Sequence, residues 1–204
     1  MSKWHAQSKE DRAAARIFRA IGTTNKIAVE FGAADGFRKS NTAYFRARGW
    51  RVHLFDVEPL DAIVRQADIT AENVNQVFRS AGIPKEFDLL SIDIDGNDLW
   101  VWKALAYWPR VVIIEYNPKW SASKSRTVPY DPDRRWDGTN FYGASALALT
   151  RVGLEKGYEL VSWTRSNLIF VRKGLQPSIK PSAVNRPIKR KRPDPEHRKW
   201  AAYP

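Results

Sequence analysis

The sequence contains no cysteine, which excludes disulfide bonds, thiolate metal ligands and cysteine nucleophiles. Histidine is scarce as well, because the chain has only His5, His53 and His197, which lie far apart in sequence. We therefore expect neither a histidine-rich metal centre nor a Ser/His/Asp triad. A chain without cysteine suits the reducing cytosol, and we expect a cytoplasmic protein.

Long apolar runs are also missing. No stretch reaches about 18 consecutive apolar residues, so the sequence predicts no membrane-spanning helix. Residues 1–19 are charged throughout and lack the apolar stretch of a secretion signal. With 43% hydrophobic and 12% aromatic residues over 204 positions, the composition is that of a globular protein with one sizeable core.

The positive charge is concentrated at one end of the chain. Of the formal net charge of +12, residues 175–204 contribute +6, with eight Lys or Arg against Asp194 and Glu196. Prolines recur in the same stretch, which predicts a flexible tail over 175–204. Such a tail suits nonspecific contact with nucleic-acid phosphates, which would make the protein a nucleic-acid-binding protein. A localisation signal or a solubilising segment is equally compatible with the same charge.

Apolar periodicity divides the rest of the chain into alternating elements. We predict helices over 8–21, 41–48, 72–81, 99–108 and 145–156. We predict strands over 27–31, 51–55, 87–92, 111–115, 160–164 and 168–172. This order predicts a Rossmann-like α/β fold, with a mostly parallel sheet covered on both faces and an antiparallel hairpin at its end. Residues 1–26 would form a helical extension and 27–174 the domain. The irregular loop 117–140, with Trp120, Tyr130 and Trp136, would be a lid and acceptor wall, and aromatic residues that only pack the loop onto the domain are an equal alternative.

Three tryptophans, Trp100, Trp102 and Trp108, fall within the predicted helix 99–108. Their spacing does not place all three on one helical face, so we interpret them as packing or partner contacts. Exposed tryptophans are compatible with a homodimer, and the sequence leaves monomer and homodimer open.

The first predicted strand ends in the pattern Glu30-x-Gly32-x-x-x-Gly36. Glycines at this point let the backbone turn sharply and approach a ligand, at the edge of the sheet where open α/β folds bind cofactors. The pattern differs from the Gly-x-Gly-x-x-Gly dinucleotide fingerprint. An acid before the first glycine suits a cationic or amino-bearing ligand better than a pyrophosphate.

Further acids follow the second strand. Asp56 lies 20 residues beyond Gly36, where a carboxylate can accept hydrogen bonds from ribose hydroxyls. Asp68 and Ile69 together can hold the exocyclic amine and one face of an adenine. Each acid alone is more typical of a solvated loop, and only their succession at strand ends favours a shared site.

The fourth and fifth strands end in Asp93 and Asp95, and in Glu115 and Asn117. Adjacent parallel strands would bring these four side chains into one pocket. Grouped oxygen ligands can hold Mg²⁺, and a carboxylate among them can instead act as general base on a substrate hydroxyl. Asp98 is interpreted as the cap of the next helix.

The motifs together resemble the FkbM-type class I methyltransferases, and most closely a bacterial and phage branch of them. The similarity covers residues 27–173, with SIDIDGND and IEYNP as its most specific parts. It is carried by VEFGAADG, SNT, LFDVEP, ADITAENVN, FDLLSIDIDGND, RVVIIEYNP, WDGT and YGAS. The resemblance implies a seven-stranded Rossmann-like sheet, S-adenosylmethionine as cofactor, and methylation of a hydroxyl on a sugar or another small acceptor. Combined with the basic tail, it leaves open an RNA or DNA methyltransferase anchored by residues 175–204.

The resemblance also implies roles for individual residues. Catechol-type O-methyltransferases hold Mg²⁺ on an Asp after strand four and an Asp-Asn pair after strand five. Asp93 and Asn117 match two of these positions, and Glu115 or Tyr116 stands at the third, so Asp93, Asp95 and Asn117 are the catalytic candidates. The implied cofactor contacts are Glu30, Gly32, Ala33 and Gly36 at the methionine moiety, Asp56 at the ribose, and Asp68 with Ile69 at the adenine.

Overall fold

The computed structural model describes residues 4–175 and 198–204. Its helices are α1 (Glu10–Ile21), α2 (Ala43–Arg46), α3 (Val74–Ser80), α4 (Asp98–Ala104) and α5 (Ala146–Glu155). Its longer strands are β1 (Ile27–Phe31), β2 (Arg51–Asp56), β4 (Glu86–Ile92), β5 (Trp108–Glu115), β7 (Tyr158–Trp163) and β8 (Asn167–Arg172). Three short strands of two residues each complete the set: β3 (Arg65–Gln66), β6 (Arg126–Thr127) and β9 (Ala201–Ala202).

Seven strands form one sheet in the order β3-β2-β1-β4-β5-β8-β7. The neighbours from β3 to β5 pair in parallel, whereas β8 is antiparallel to both β5 and β7. The predicted fold class, a mostly parallel Rossmann-like sheet with an antiparallel hairpin at its end, is confirmed. The strands β6 and β9 form a separate antiparallel pair.

Helices cover both faces of the sheet because the central strands are apolar on both sides. On β5, Val112 and Ile114 face one core and Val111 and Ile113 face the other, as the two-residue period of a strand requires. The first core is completed by α3, α4 and α5, and the second by α1 and α2. Helix α1 therefore packs against the sheet as part of the domain.

The amino-terminal edge of the sheet is held by one buried ion pair. The fully buried carboxylate of Asp88 accepts hydrogen bonds from the backbone N–H groups of residues 24–26, at 2.8 to 3.0 Å. It also receives the guanidinium of Arg110 at 3.0 Å, which donates in addition to two carbonyls at the end of α1. Every charge of the pair is thus compensated, as burial demands.

The predicted helix over 99–108 is wrong in its second half. Helix α4 ends at Ala104, and Trp108 begins β5, where it lies opposite Glu86. The chain leaves the helix at Leu105, which is extended, and Pro109 then keeps Trp108 out of the helical region, as it does any residue that precedes proline. Trp102 is fully buried in the core, whereas Trp108 is 47% exposed at the amino-terminal edge of the sheet.

Most of the predicted flexible tail over 175–204, including its basic run, lies outside the described residues. Residues 198–204 differ from that prediction, because they contain β9 and contact the domain. Among the residues that the structure describes, no helix combines the length and the apolar character needed to cross a membrane.

Candidate active site

A cavity of about 620 Å³ opens at the carboxyl-terminal ends of β1, β2, β4 and β5. This is the size of a small-molecule site, at the edge of the sheet where such sites form. Two predicted site residues, Gly36 and Asn117, do not line it. The predicted residues that do line it are Glu30, Gly32, Ala33, Asp56, Asp68, Ile69, Asp93, Asp95 and Glu115.

Gly32, directly after β1, lets the chain pass in close contact with the backbone at the end of β4. Its φ of +67° is left-handed, and a Cβ built on it would lie 1.7 Å from the carbonyl oxygen of Asp93. A side chain at this position has no room, so the glycine is required by contact as well as by conformation. Gly36 has a similar φ but packs beside Leu54 and Ile63, behind the cavity.

Glu30 orders the loop that follows the glycine turn. Its carboxylate accepts hydrogen bonds from the hydroxyls of Ser40 and Thr42 and from the backbone N–H of Asn41. Burial raises the pKa of Glu30, and these donors oppose the rise by favouring its charged form. Asn41, held in this way, extends its amide to the Ser91 hydroxyl on β4 at 3.0 Å.

Asp56 joins the loops after β1 and β2. One carboxylate oxygen accepts the N–H of Ala34 at 2.8 Å and the other that of Glu58 at 2.9 Å. Each oxygen keeps a further lone pair, so the same carboxylate can still accept hydrogen bonds from a ligand in the cavity.

Asp68 is paired with a residue that sequence reasoning did not select. Its carboxylate lies 2.6 Å from a guanidinium nitrogen of Arg135, and both side chains are about half exposed, at 49% and 53%. An ion pair this exposed contributes only about 0–1 kcal/mol, so a ligand can displace it at little cost. Ile69 beside it is buried and offers an apolar surface to the cavity.

Three carboxyl groups converge on the floor of the cavity. One oxygen from each of Asp93, Asp95 and Glu115 lies within 4.8 Å of the other two. The pKa of Asp93 is raised well above its ordinary value, first by burial and then by repulsion from Asp95, Asp98 and Glu30. Asp95 has a left-handed φ of +55°, a conformation that costs energy and is concentrated at functional sites.

Asp98 fixes the turn that presents Asp95. Its buried carboxylate accepts the N–H groups of Ile94 and Gly96 at 2.9 and 3.0 Å, so it closes the turn before α4 rather than capping a free helix end. Burial raises the pKa of this carboxyl to about 6, and the two N–H donors act in the opposite direction.

The raised pKa of Asp98 predicts a pH dependence of stability. The folded protein holds this proton more tightly than the unfolded chain, whose pKa is near 3.8, so stability is lost as the pH rises from about 4 to about 7. In Asp98→Asn this loss disappears, and the neighbouring Asp93 is relieved of a repelling charge. The free energy of unfolding of the wild type, measured against the variant in urea, should fall by about 2–3 kcal/mol over that range. Parallel pH curves for the two proteins would contradict the assignment.

Asn117 does not join the acid cluster, although the sequence placed it among the catalytic and metal-binding residues. Its amide donates to the carbonyls of Asn140 and Tyr142, and its carbonyl oxygen accepts the N–H of Lys119. The side chain is 1% exposed and is used to hold a loop. The cluster therefore consists of Asp93, Asp95 and Glu115, three of the four residues that the sequence places in one pocket.

One part of the cavity wall comes from residues 117–141, called the wall loop below. Of the three aromatic residues expected in a lid, Trp136 lines the cavity, whereas Trp120 and Tyr130 do not. The loop is attached to α4 by Asn97, whose amide donates to the carbonyl of Asp131 at 2.7 Å. The wall residues themselves are Pro132, Arg134, Arg135 and Trp136.

Of these wall residues the sequence singled out only Trp136, and it missed Pro132, Arg134 and Arg135 as well as Arg38 and Lys39 on the glycine-loop side of the cavity. The available signals were the length of the irregular segment 117–140 and its aromatic residues, which mark a functional loop without indicating its charged ones. No protein-family model matches the chain, and a search of curated proteins finds no match.

Proposed function

We propose that the protein is an S-adenosylmethionine-dependent methyltransferase that methylates a hydroxyl of a sugar or another small acceptor. The observation that carries the proposal is the set of acids at one sheet edge. Glu30, Asp56, Asp93 and Glu115 lie at or beside the ends of β1, β2, β4 and β5, around one cavity. The resemblance of the sequence motifs to FkbM-type enzymes and the seven-stranded sheet with one antiparallel strand support the same reaction.

The chemistry of the donor matches this charge distribution. S-adenosylmethionine carries a sulfonium and an ammonium group, and the acids on the floor favour cations. Asp56 accepts hydrogen bonds from the ribose hydroxyls, as an acid at the end of the second strand does in nucleotide-binding α/β folds. Ile69 covers one face of the adenine, and Asp68 accepts its amine once Arg135 has moved aside.

The reaction needs positioning and a proton acceptor. Methyl transfer is an in-line displacement, in which the acceptor oxygen forms a bond to the methyl carbon while the bond from that carbon to sulfur breaks. The acceptor hydroxyl gives its proton to a carboxylate, and a base with a raised pKa performs this step best near neutral pH. Asp93 has that property, and the wall loop excludes water.

Mg²⁺ is the alternative partner of the same acids. Its preferred ligands are carboxylate oxygens, and the donor set of Asp93, Asp95 and Glu115 fits it, whereas Asn117 lies outside the set. A bound Mg²⁺ would orient the acceptor oxygen and lower the pKa of its hydroxyl. The proposal places the enzyme in the cytoplasm, as a monomer or homodimer, with a small-molecule or glycan acceptor.

Asp56→Asn tests the cofactor site. The variant loses one charge and one acceptor towards the ribose, so calorimetry should show S-adenosylhomocysteine binding about tenfold more weakly, about 1.4 kcal/mol. Asp61→Asn is a matched control, because Asp61 makes the same turn contact, with the N–H of Ile63 at 3.0 Å, outside the cavity. Wild-type protein that binds no S-adenosylhomocysteine, or equal affinities for all three proteins, would refute the proposed site.

A further inference from the structure

Residues 198–204, called the clasp below, are fastened to the domain at one end. Strand β9 pairs with β6 of the wall loop, and Tyr203 is buried beside α4 and α5. The Tyr203 hydroxyl donates to Glu155 at 2.9 Å. Its carbonyl accepts hydrogen bonds from the Ser125 hydroxyl at 2.6 Å and from Arg151 at 2.8 Å. Three hydrogen bonds and a strand pairing make this a specific docking.

The other half of the clasp reaches the cavity wall through a packed aromatic ring. Trp200 packs edge-on against Trp120 and Phe141, with ring centres 5.1 and 4.9 Å apart. The guanidinium of Arg134 lies 5.2 Å from the Phe141 ring centre on the wall loop. The stem of Arg134 in turn covers Gly96, beside Asp95 of the acid cluster. Trp200 therefore supports a residue that lines the cavity.

A second connection is electrostatic. A guanidinium nitrogen of Arg198 lies 2.6 Å from the carboxylate of Asp137, the residue that follows Trp136 in the cavity wall. The Arg198 guanidinium also lies 5.5 Å from the centre of the Phe141 ring. The clasp thus contacts the wall loop at both Phe141 and Asp137, on either side of the glycine turn at Gly138.

We propose that the clasp positions the wall of the cavity: docked, it holds the wall loop over the site, and released, it lets the wall open. Trp200 and Arg198 are positioning residues that act through Phe141, Arg134 and Trp136. A docked clasp should slow release of the cofactor, an effect that rests on the proposed function. It should also protect the wall loop from opening, an effect that does not. Two readouts therefore separate the two ideas.

The first readout is amide hydrogen exchange of the full-length protein. In Trp200→Ala, the amides of residues 128–139 should exchange at least tenfold faster, while those of β4 and β5 stay unchanged, which distinguishes local opening from global unfolding. Trp200→Phe keeps an aromatic ring and should restore most of the protection. Trp108→Ala removes an exposed tryptophan at the opposite edge of the sheet and is the matched control. Equal exchange of residues 128–139 in all four proteins would overturn the proposal.

The second readout is ligand dissociation from a variant in which a disulfide bond holds the clasp against the wall loop. Arg126 and Ala202 lie opposite each other in the antiparallel pair of β6 and β9, within the range of a disulfide. Because the chain has no other cysteine, this is the only disulfide that Arg126→Cys/Ala202→Cys can form within one chain, and oxidation of dilute protein, checked by gel filtration, keeps it intramolecular. Oxidation should slow S-adenosylhomocysteine dissociation at least threefold relative to the reduced form, and reduction should reverse this.

The outcomes of the two readouts are distinguishable. If the wall loop responds to Trp200→Ala and no form binds S-adenosylhomocysteine, the proposed cofactor is wrong and the positioning role stands. If S-adenosylhomocysteine binds equally well to oxidised, reduced and Trp200→Ala protein, and the wall loop does not respond, the positioning role is wrong and the proposed function stands.

Discussion

Gly32→Ala is expected to abolish ligand binding in the cavity and to lower the free energy of unfolding by about 2–5 kcal/mol. Two costs add up: a left-handed backbone disfavours a Cβ by about 1–2 kcal/mol, and an overpacked contact adds about 1–3 kcal/mol. The new methyl group would lie 1.7 Å from the Asp93 carbonyl oxygen, so β1 and the end of β4 must separate. Asp93 then moves with them, and the floor of the cavity is lost.

Gly49→Ala separates these two costs. Gly49 has a φ of +79°, but a Cβ there meets no atom within 4 Å. This control should therefore lose only the conformational part, about 1 kcal/mol, and keep its affinity for S-adenosylhomocysteine. Urea unfolding and calorimetry on both variants make the comparison. Similar losses of stability in the two proteins would mean that the contact between Gly32 and Asp93 is not as close as the structure has it.

Asp93→Asn should make the protein inactive and more stable at the same time. As the proton acceptor of the proposed reaction, Asp93 should contribute about 10²–10⁴-fold to turnover. Its charged form is opposed by burial and by Asp95 and Asp98, so a neutral amide of the same shape relieves repulsion. We expect a gain of about 1–2 kcal/mol in the free energy of unfolding near pH 8, as is common when a functional site is relaxed.

The measurement combines transfer of a labelled methyl group to a panel of sugars with urea unfolding in EDTA, which removes divalent ions. Asp95→Asn is the matched control: it deletes a carboxylate two residues away, and asparagine tolerates the left-handed φ at this position. We expect the control to lose less than about tenfold in turnover. A larger loss for Asp95→Asn than for Asp93→Asn would make Asp95 the base, and an unstable Asp93→Asn protein would contradict the repulsion.

The strands and their polar ends were predictable from the sequence because both follow local rules. Ile27–Phe31 is an apolar run that stops at a glycine, and Asp56 and Asp93 come at the ends of similar runs. Since parallel strands end at one edge of a sheet, the sequence also predicted that these acids share a cavity. The helix over 99–108 was overextended because its apolar residues continue into β5 and only Pro109 marks the change.

The choice among neighbouring polar residues was not predictable, because it depends on backbone direction. Asp95 was expected in the pocket, but no local pattern indicates the left-handed turn, closed by Asp98, through which it enters the cavity. Asn117 turns away, since its amide is needed by carbonyls 23 and 25 residues further along the chain. The pairing of Asp68 with Arg135 joins residues 67 positions apart, which a pattern of local periodicity does not encode.

The position of Asp88 separates the contacts that join α1 to the sheet from the loops that form the cavity. The ion pair with Arg110 ties the start of β1 and the end of α1 at one edge of the sheet, and the cavity occupies the other. Because the two edges share strands but no loops, the loops around the cavity can vary in sequence without touching the contacts that join α1 to β1. Substitutions in those loops can therefore change what the cavity binds, while Asp88 and Arg110 keep the end of α1 and the start of β1 in place.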